Sequence, residues 1–158
     1  MIGQFTSYIK DKSKINIESV LSDWNWILPK QLEVLYITLF GDIFFTDNEG
    51  GVNWLDTGSF NLNKVAESLE KFHRLLLDEE NVNTWLLPHL CEELITSGQK
   101  LEQEQVYSFK LMPALGGEYV VDNIKPTDIY VHFSISGQIG EQIKDIPDGT
   151  RINFKLTE

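Results

Sequence analysis

A chain of 158 residues, 42% of them apolar and spread throughout, suffices for one domain with a substantial core, and this composition excludes disorder. The net charge of −11 would repel phosphates and so argues against nucleic-acid binding, and no apolar run approaches the roughly 20 residues that span a bilayer. Cys91 is the single cysteine, which rules out an intrachain disulfide and leaves a buried structural thiol as the expectation. The first ten residues lack the basic head and apolar centre of a secretion signal, so a cytoplasmic location is expected.

In chain order, residues 16–28 place Ile17, Val20, Leu21, Trp24 and Ile27 at helical spacing, with Asn16 as N-cap and Pro29 as stop. Leu32 to Phe40 is apolar almost throughout and reads as a strand buried on both faces. After Gly41, Asp42 to Asp47 and Val52 to Leu55 form the arms of a hairpin around Asn48-Glu-Gly-Gly51, and Asp56-Thr-Gly58 turns the chain. Leu62, Val65, Leu69, Phe72, Leu75 and Leu76 form a helical stripe, although Leu62 to Ala66 would equally close the preceding hairpin as a strand. A second helical region covers Val82 to Thr96, where Pro88 either kinks the helix or opens a fresh one, and Gly98 caps it.

Beyond Gly98 the pattern turns to β. Val106 to Leu111 and Glu118 to Val121 read as strands, Ile129 to Ser136 alternates apolar and polar residues, and Ile152, Phe154 and Leu156 alternate as a terminal edge strand. Ile139 to Ile143 fits a short helix or a strand. The order strands, helix pair, strands indicates a single α+β domain over residues 1–158, with a mostly antiparallel sheet, a central helix pair and a short N-terminal helix.

The charge is uneven. Residues 1–40 are neutral overall, whereas the acids Asp78, Glu79, Glu80, Glu92, Glu93, Glu102 and Glu104 are opposed within their stretch by Lys100 alone. Such a field would attract a basic protein surface. Catalytic groups are not apparent. His73, His89 and His132 form no metal-ligand spacing with one another or with Cys91, and adjacent carboxylates such as Glu79/Glu80 and Glu92/Glu93 point apart on a helix. Asp42, Asp47 and Asp56 flank the hairpin, where Asp commonly serves as a turn former. Gly116-Gly117 lacks the Lys-Ser/Thr of a P-loop and reads as close backbone approach into a strand. Trp24 and Trp85 lie on helical stripes and belong to the core; Trp26 and Trp54 are the candidates for exposure, with burial of all four favoured. No cofactor or metal is expected.

Several blocks carry a resemblance. Phe40-Gly-Asp42 leads an aromatic strand, followed by the Asp47 to Gly51 turn and Leu55-Asp-Thr57. A helix centred on Glu70-Lys-Phe72, the block Leu115 to Asn123, Gly137-Gln-Ile139 and Pro147-Asp-Gly149 follow in order. Together they resemble the C-terminal domain of the type VI secretion DNase-immunity (Tdi) family, over roughly residues 24–152. The resemblance implies an α+β domain acting as a cytoplasmic bacterial antitoxin without enzymatic activity, whose partner is a cognate secreted toxin, typically a nuclease. The signature blocks are rich in glycine and turn residues and suit fold maintenance, so the expected contact surface is the acidic set at 78–104, facing a basic toxin. The rival reading is a small-ligand or regulatory pocket using Glu118, Tyr119, Asp122 and Asn123.

Overall fold

The computed structural model describes residues 5–157. Its centre is a four-stranded antiparallel meander: β1 (Leu32–Ile37), β2 (Ile43–Asp47), β3 (Val52–Asp56) and β4 (Asn61–Ala66), ordered as they occur in the chain. A separate two-stranded antiparallel ribbon joins β5 (Gln105–Phe109) to β6 (Ile124–Asp128). Among the described residues, five α-helical elements accompany them: α1 (Ile17–Leu21), α2 (Leu69–Leu75), α3 (Glu79–Leu86), α4 (Pro88–Thr96) and α5 (Ile129–Ile143). The class is α+β, as the element order implies.

The strand buried on both faces is β2, where Ile43, Phe44 and Phe45 are all 0% exposed. Leu32 to Phe40 was expected to hold that position. Instead β1 stops at Ile37, lies at the sheet edge and is bulged between Val34 and Tyr36. Ile43, Phe45 and Leu55 pack with Val20, Trp24, Ile129 and Phe133. On the other face, Phe44 and Val52 pack with Phe72, Trp85 and Leu86. The sheet is therefore sandwiched, with α1 and α5 on one side and α2 and α3 on the other. A third cluster, built from Phe40, Leu90, Cys91, Leu94, Tyr107 and Ile124, joins α4 to the ribbon.

Local chemistry explains most boundaries. Asn16 caps α1 by accepting a bond from Ser19 N–H (3.1 Å), and the helix then tightens into a 3-10 turn over Ser22–Trp24, well short of Leu28. The hairpin turn is held by Asp47, whose Oδ1 accepts from Glu49 N–H (2.9 Å) and Gly51 N–H (3.0 Å). The segment Leu62 to Ala66 is strand, and the helix begins only after Ser68, whose side chain accepts from Lys71 N–H. Pro88 opens a fresh helix: Leu87 sits at φ 50, ψ 52, so α3 ends and α4 starts at one left-handed residue. Gly98 follows α4 at φ +91.

Three β assignments fail. Residues 118–121 form no strand; a 3-10 turn over Val121–Asn123 leads into β6. The alternating stretch 129–136, and the Gly137-Gln-Ile139 block that the resemblance would make a strand, together form α5. Asp128 caps that helix through bonds to Tyr130 and Val131 N–H. The terminal segment 152–156 has no strand partner. Its backbone is bound by side chains of α5 instead: Gln138 bonds both Thr157 N–H (2.7 Å) and Thr157 C=O (2.8 Å), and Gln142 treats Lys155 likewise. Among the described residues, no helix is long and apolar enough to cross a membrane.

Candidate functional site

Two of the signature blocks, Phe40–Asp42 and Leu55–Thr57, meet at one hub. Gly41 has φ +73, and a Cβ there would overlap the imidazole of His132 on α5. His132 is 8% exposed and bonds in three directions: its Nδ1 lies 2.6 Å from Ser108 Oγ on β5, and its Nε2 lies 3.0 Å from Thr57 Oγ1 and 3.1 Å from Gly41 O. Burial depresses the imidazole pKa to about 4, against a raising bond to Gly41 O, so the ring is neutral at pH 7. One tautomer then satisfies every contact: Ser108 donates to Nδ1 and Nε2–H donates to Gly41 O. Thr57 passes the network on, giving both its N–H and its hydroxyl to Asp42 Oδ1 at 3.0 Å. The Ser108–imidazole contact resembles a nucleophile–base pair. However, the other ring nitrogen faces a backbone carbonyl and a hydroxyl rather than a carboxylate, so this histidine ties β5, α5 and the Thr57 corner together.

The block 115–123 is held by a clamp. The Asn123 amide accepts from Leu111 N–H (2.9 Å) and donates to the carbonyls of Leu111 (2.9 Å) and Glu118 (2.9 Å). Gly117 runs so close to the Leu111 carbonyl that no side chain would fit. Asn123 thus spends its amide on loop geometry, while Glu118 and Asp122 are exposed. Of the four residues in the rival pocket reading, Tyr119 alone lines a cavity beside the hairpin.

That cavity, of about 360 Å³, lies where the open end of β2 and β3 meets the α3–α4 junction, and its walls are Phe40, Asp42, Trp54, Asp56, Thr84, Trp85, Leu87, Phe109 and Tyr119. Continuing the Ile43–Leu55 pairing by one residue brings Asp42 level with Asp56. Asp42 is 8% exposed, and burial, reinforced by the charge of Asp56, raises its pKa well above the usual carboxylate range despite the Thr57 bonds. Burial also raises Asp56, against bonds from Ser59 and Gly58. The Trp54 indole N–H is buried without closing a hydrogen bond, near enough to Asp42 to favour its ionised form. Burial, then the Asp56 charge, raises the Tyr119 phenol. Sequence spacing grouped Asp42 with Asp56 as turn formers. It could not show that the β2–β3 register would place them side by side against five aromatic rings.

The seven acids at 78–104 are all exposed. Asp78 caps α3 by accepting from Glu80 N–H, and Glu79 and Glu80 occupy the first turn, where the helix dipole favours negative charge. Glu92 accepts from Tyr8 Oη (3.1 Å), and Glu102 offers its backbone carbonyl to Lys10 Nζ (3.0 Å). Among the described residues, the salt bridge found is Arg74–Glu70, so no lysine or arginine neutralises these seven carboxylates. Trp24 and Trp85 are buried as expected; Trp26 is half-buried, and its Nε1 donates to Gly137 O on α5 (3.1 Å).

Comparison with solved structures finds the crystal structure of Atu4351 from Agrobacterium tumefaciens at 20% identity and a TM-score of 0.52. The match covers 77% of this chain and 61% of that one, so this chain spans less than two thirds of the related structure, and the likeness is one of fold. No curated protein matches. The family model described as T6SS immunity protein Tdi1, C-terminal, matches residues 66–140, which run from the end of β4 through the acidic helices, the clamp and the ribbon into α5. Over residues 66–140 the chain is thus similar to the Tdi1 C-terminal immunity family, the one the motif blocks resemble.

Proposed function

We propose that this chain is a non-enzymatic immunity protein that binds a cognate secreted toxin, a nuclease, and neutralises it in the cytoplasm. The observation that carries the reading is the family match over 66–140, a segment that contains all seven exposed acids. A nuclease must hold phosphates on a basic surface, and exposed carboxylates that are not paired in salt bridges among the described residues compete for that surface. Asp78, Glu79, Glu80, Glu92, Glu93, Glu102 and Glu104 steer and dock the toxin. Opposite charge of this kind accelerates encounter and supplies specificity.

The test is co-expression with a toxin-like product chosen from the genes that neighbour this chain's own. A complex that survives co-purification, with protection of cells producing the toxin in their cytosol, supports the proposal. No complex and no protection rejects it. A complex with a toxin that cleaves no nucleic acid keeps the immunity role and rejects the nuclease.

A further inference from the structure

We propose that the cavity between the open end of the β2–β3 hairpin and the α3–α4 junction receives a single organic cation, a guanidinium or alkylammonium group, held by Asp42 and Asp56 and walled by aromatic rings. The lining contains two carboxyl groups and no lysine, arginine or histidine. A volume of about 360 Å³ lies in the range of small-ligand pockets, large enough for one long side chain. Phe40, Trp54, Trp85, Phe109 and Tyr119 surround it, and Tyr119 stands edge-on to Phe109 with ring centroids 5.1 Å apart. Aromatic faces attract a cation with dispersed charge. A hard metal ion would want six or more oxygens, and no group of three metal-binding side chains occurs among the described residues.

Asp42 gives the acidic pair its meaning. More than nine tenths of this residue is buried, its Oδ1 takes both bonds from Thr57, and its other oxygen closes no hydrogen bond, with the Trp54 indole N–H the nearby donor and the side chain lining the cavity. A buried carboxylate with an open oxygen and a second carboxylate alongside is destabilised unless a cation or a proton joins it. The raised pKa of both acids expresses that strain, and a bound cation would relieve it. Leu87, held in the left-handed region at φ 50, supports the opposite wall, a position where strain is retained by surrounding packing.

The cation comes either as a free small molecule or on the side chain of a partner, and two probes separate these sources. Methylguanidinium, with the neutral isostere methylurea as control, and the peptide acetyl-Gly-Arg-Gly-amide are titrated at constant ionic strength, following the Trp54 indole N–H signal by NMR. Saturable shifts with methylguanidinium and none with methylurea are expected. They should weaken about tenfold or more in Asp56→Asn, which keeps the Oδ1 acceptor for Gly58 and Ser59 and so preserves the turn. Tyr119→Leu, at an exposed wall, should weaken binding several-fold without touching the core. Binding of both probes assigns the site to a partner's side chain, and binding of methylguanidinium alone assigns it to a free ligand. No saturable shift with either cation, an equal response to methylurea, or full binding in both variants overturns the proposal. Neither probe involves a toxin, so this site and the immunity reading stand or fall separately.

Discussion

At the scale of single residues, the signature is mostly backbone geometry under constraint. Gly41 combines a left-handed φ with a close approach to His132, whereas Gly50 has φ +85 and open space around its missing Cβ. Gly50→Ala should therefore cost only the left-handed conformation, about 1 kcal/mol. Gly41→Ala adds overlap with a buried ring and should cost about 3 kcal/mol, read as a shift in urea unfolding. Equal losses would show that the histidine yields freely. The two buried titratable groups act in opposite senses. The His132 pKa falls from its ordinary 6.5 to about 4 on folding, so the unfolded chain binds more protons between these values. Its contribution, up to about 3 kcal/mol, is present above pH 6.5 and lost as the pH drops towards 4. Asp42 is raised on folding, with Asp56 and Tyr119 facing it in the cavity and His132 reaching it through Thr57, so its burial costs stability as the pH rises above its unfolded value. Asp42→Asn should gain stability relative to the parent as pH increases from 4 to 8, and His132→Gln should flatten the acid limb. Parallel pH–stability curves for parent and variants would contradict both signs.

At the scale of elements, legibility tracked how much of the pattern apolar residues carry. The α2 stripe, the hairpin and the α1 cap were readable because Leu, Phe, Val, Gly and Asn report them directly. Helix α5 was not: its buried stripe is Ile129, His132, Phe133, Ser136, Gly137, Ile139 and Gly140, so polar and small residues hold the helical period. Ile129, Val131, Phe133 and Ile135 meanwhile mimic a strand. Their small neighbours are there for approach, since a Cβ on Gly137 would lie 2.5 Å from Asp23 O on the preceding 3-10 turn. Trp24 Nε1 donates to Phe133 O across the same contact at 3.0 Å. Neither close packing nor tryptophan-to-carbonyl bonds leave a periodic trace in sequence. Residues 118–121 likewise read as a short strand in the sequence, but in the structure the Asn123 side chain bonds Leu111 N–H and C=O in the place a paired strand would take. Asn123→Ala removes three bonds at a partly exposed site and should cost about 2 kcal/mol while opening residues 111–123 to limited proteolysis. Unchanged cleavage there would mean that Gly117 and the flanking turns suffice to hold the loop.

Across the whole molecule, core and charge are arranged independently, and that separates two kinds of variant. The sandwiched sheet buries Ile43, Phe44 and Phe45 completely, while the seven acids of 78–104 all face solvent with no ion pair among them. Glu93 and Glu104 are exposed and their side chains bind no neighbour, so Glu93→Lys with Glu104→Lys should leave unfolding within about 0.5 kcal/mol of the parent. Exposed charges act through a field screened within about 10 Å at 0.1 M salt. The pair should therefore slow association with the toxin by about tenfold or more at low salt and reduce its salt dependence, with dissociation altered less. The cavity makes the contrasting prediction. If a toxin side chain enters it, Asp56→Asn should speed dissociation and leave the salt slope of association unchanged, because a desolvated pair acts after encounter. Stopped-flow rates for both variants across 50–500 mM salt distinguish steering from anchoring. An association rate insensitive to Glu93 and Glu104 at low salt would move the docking surface away from the acidic helices, even if the complex itself forms.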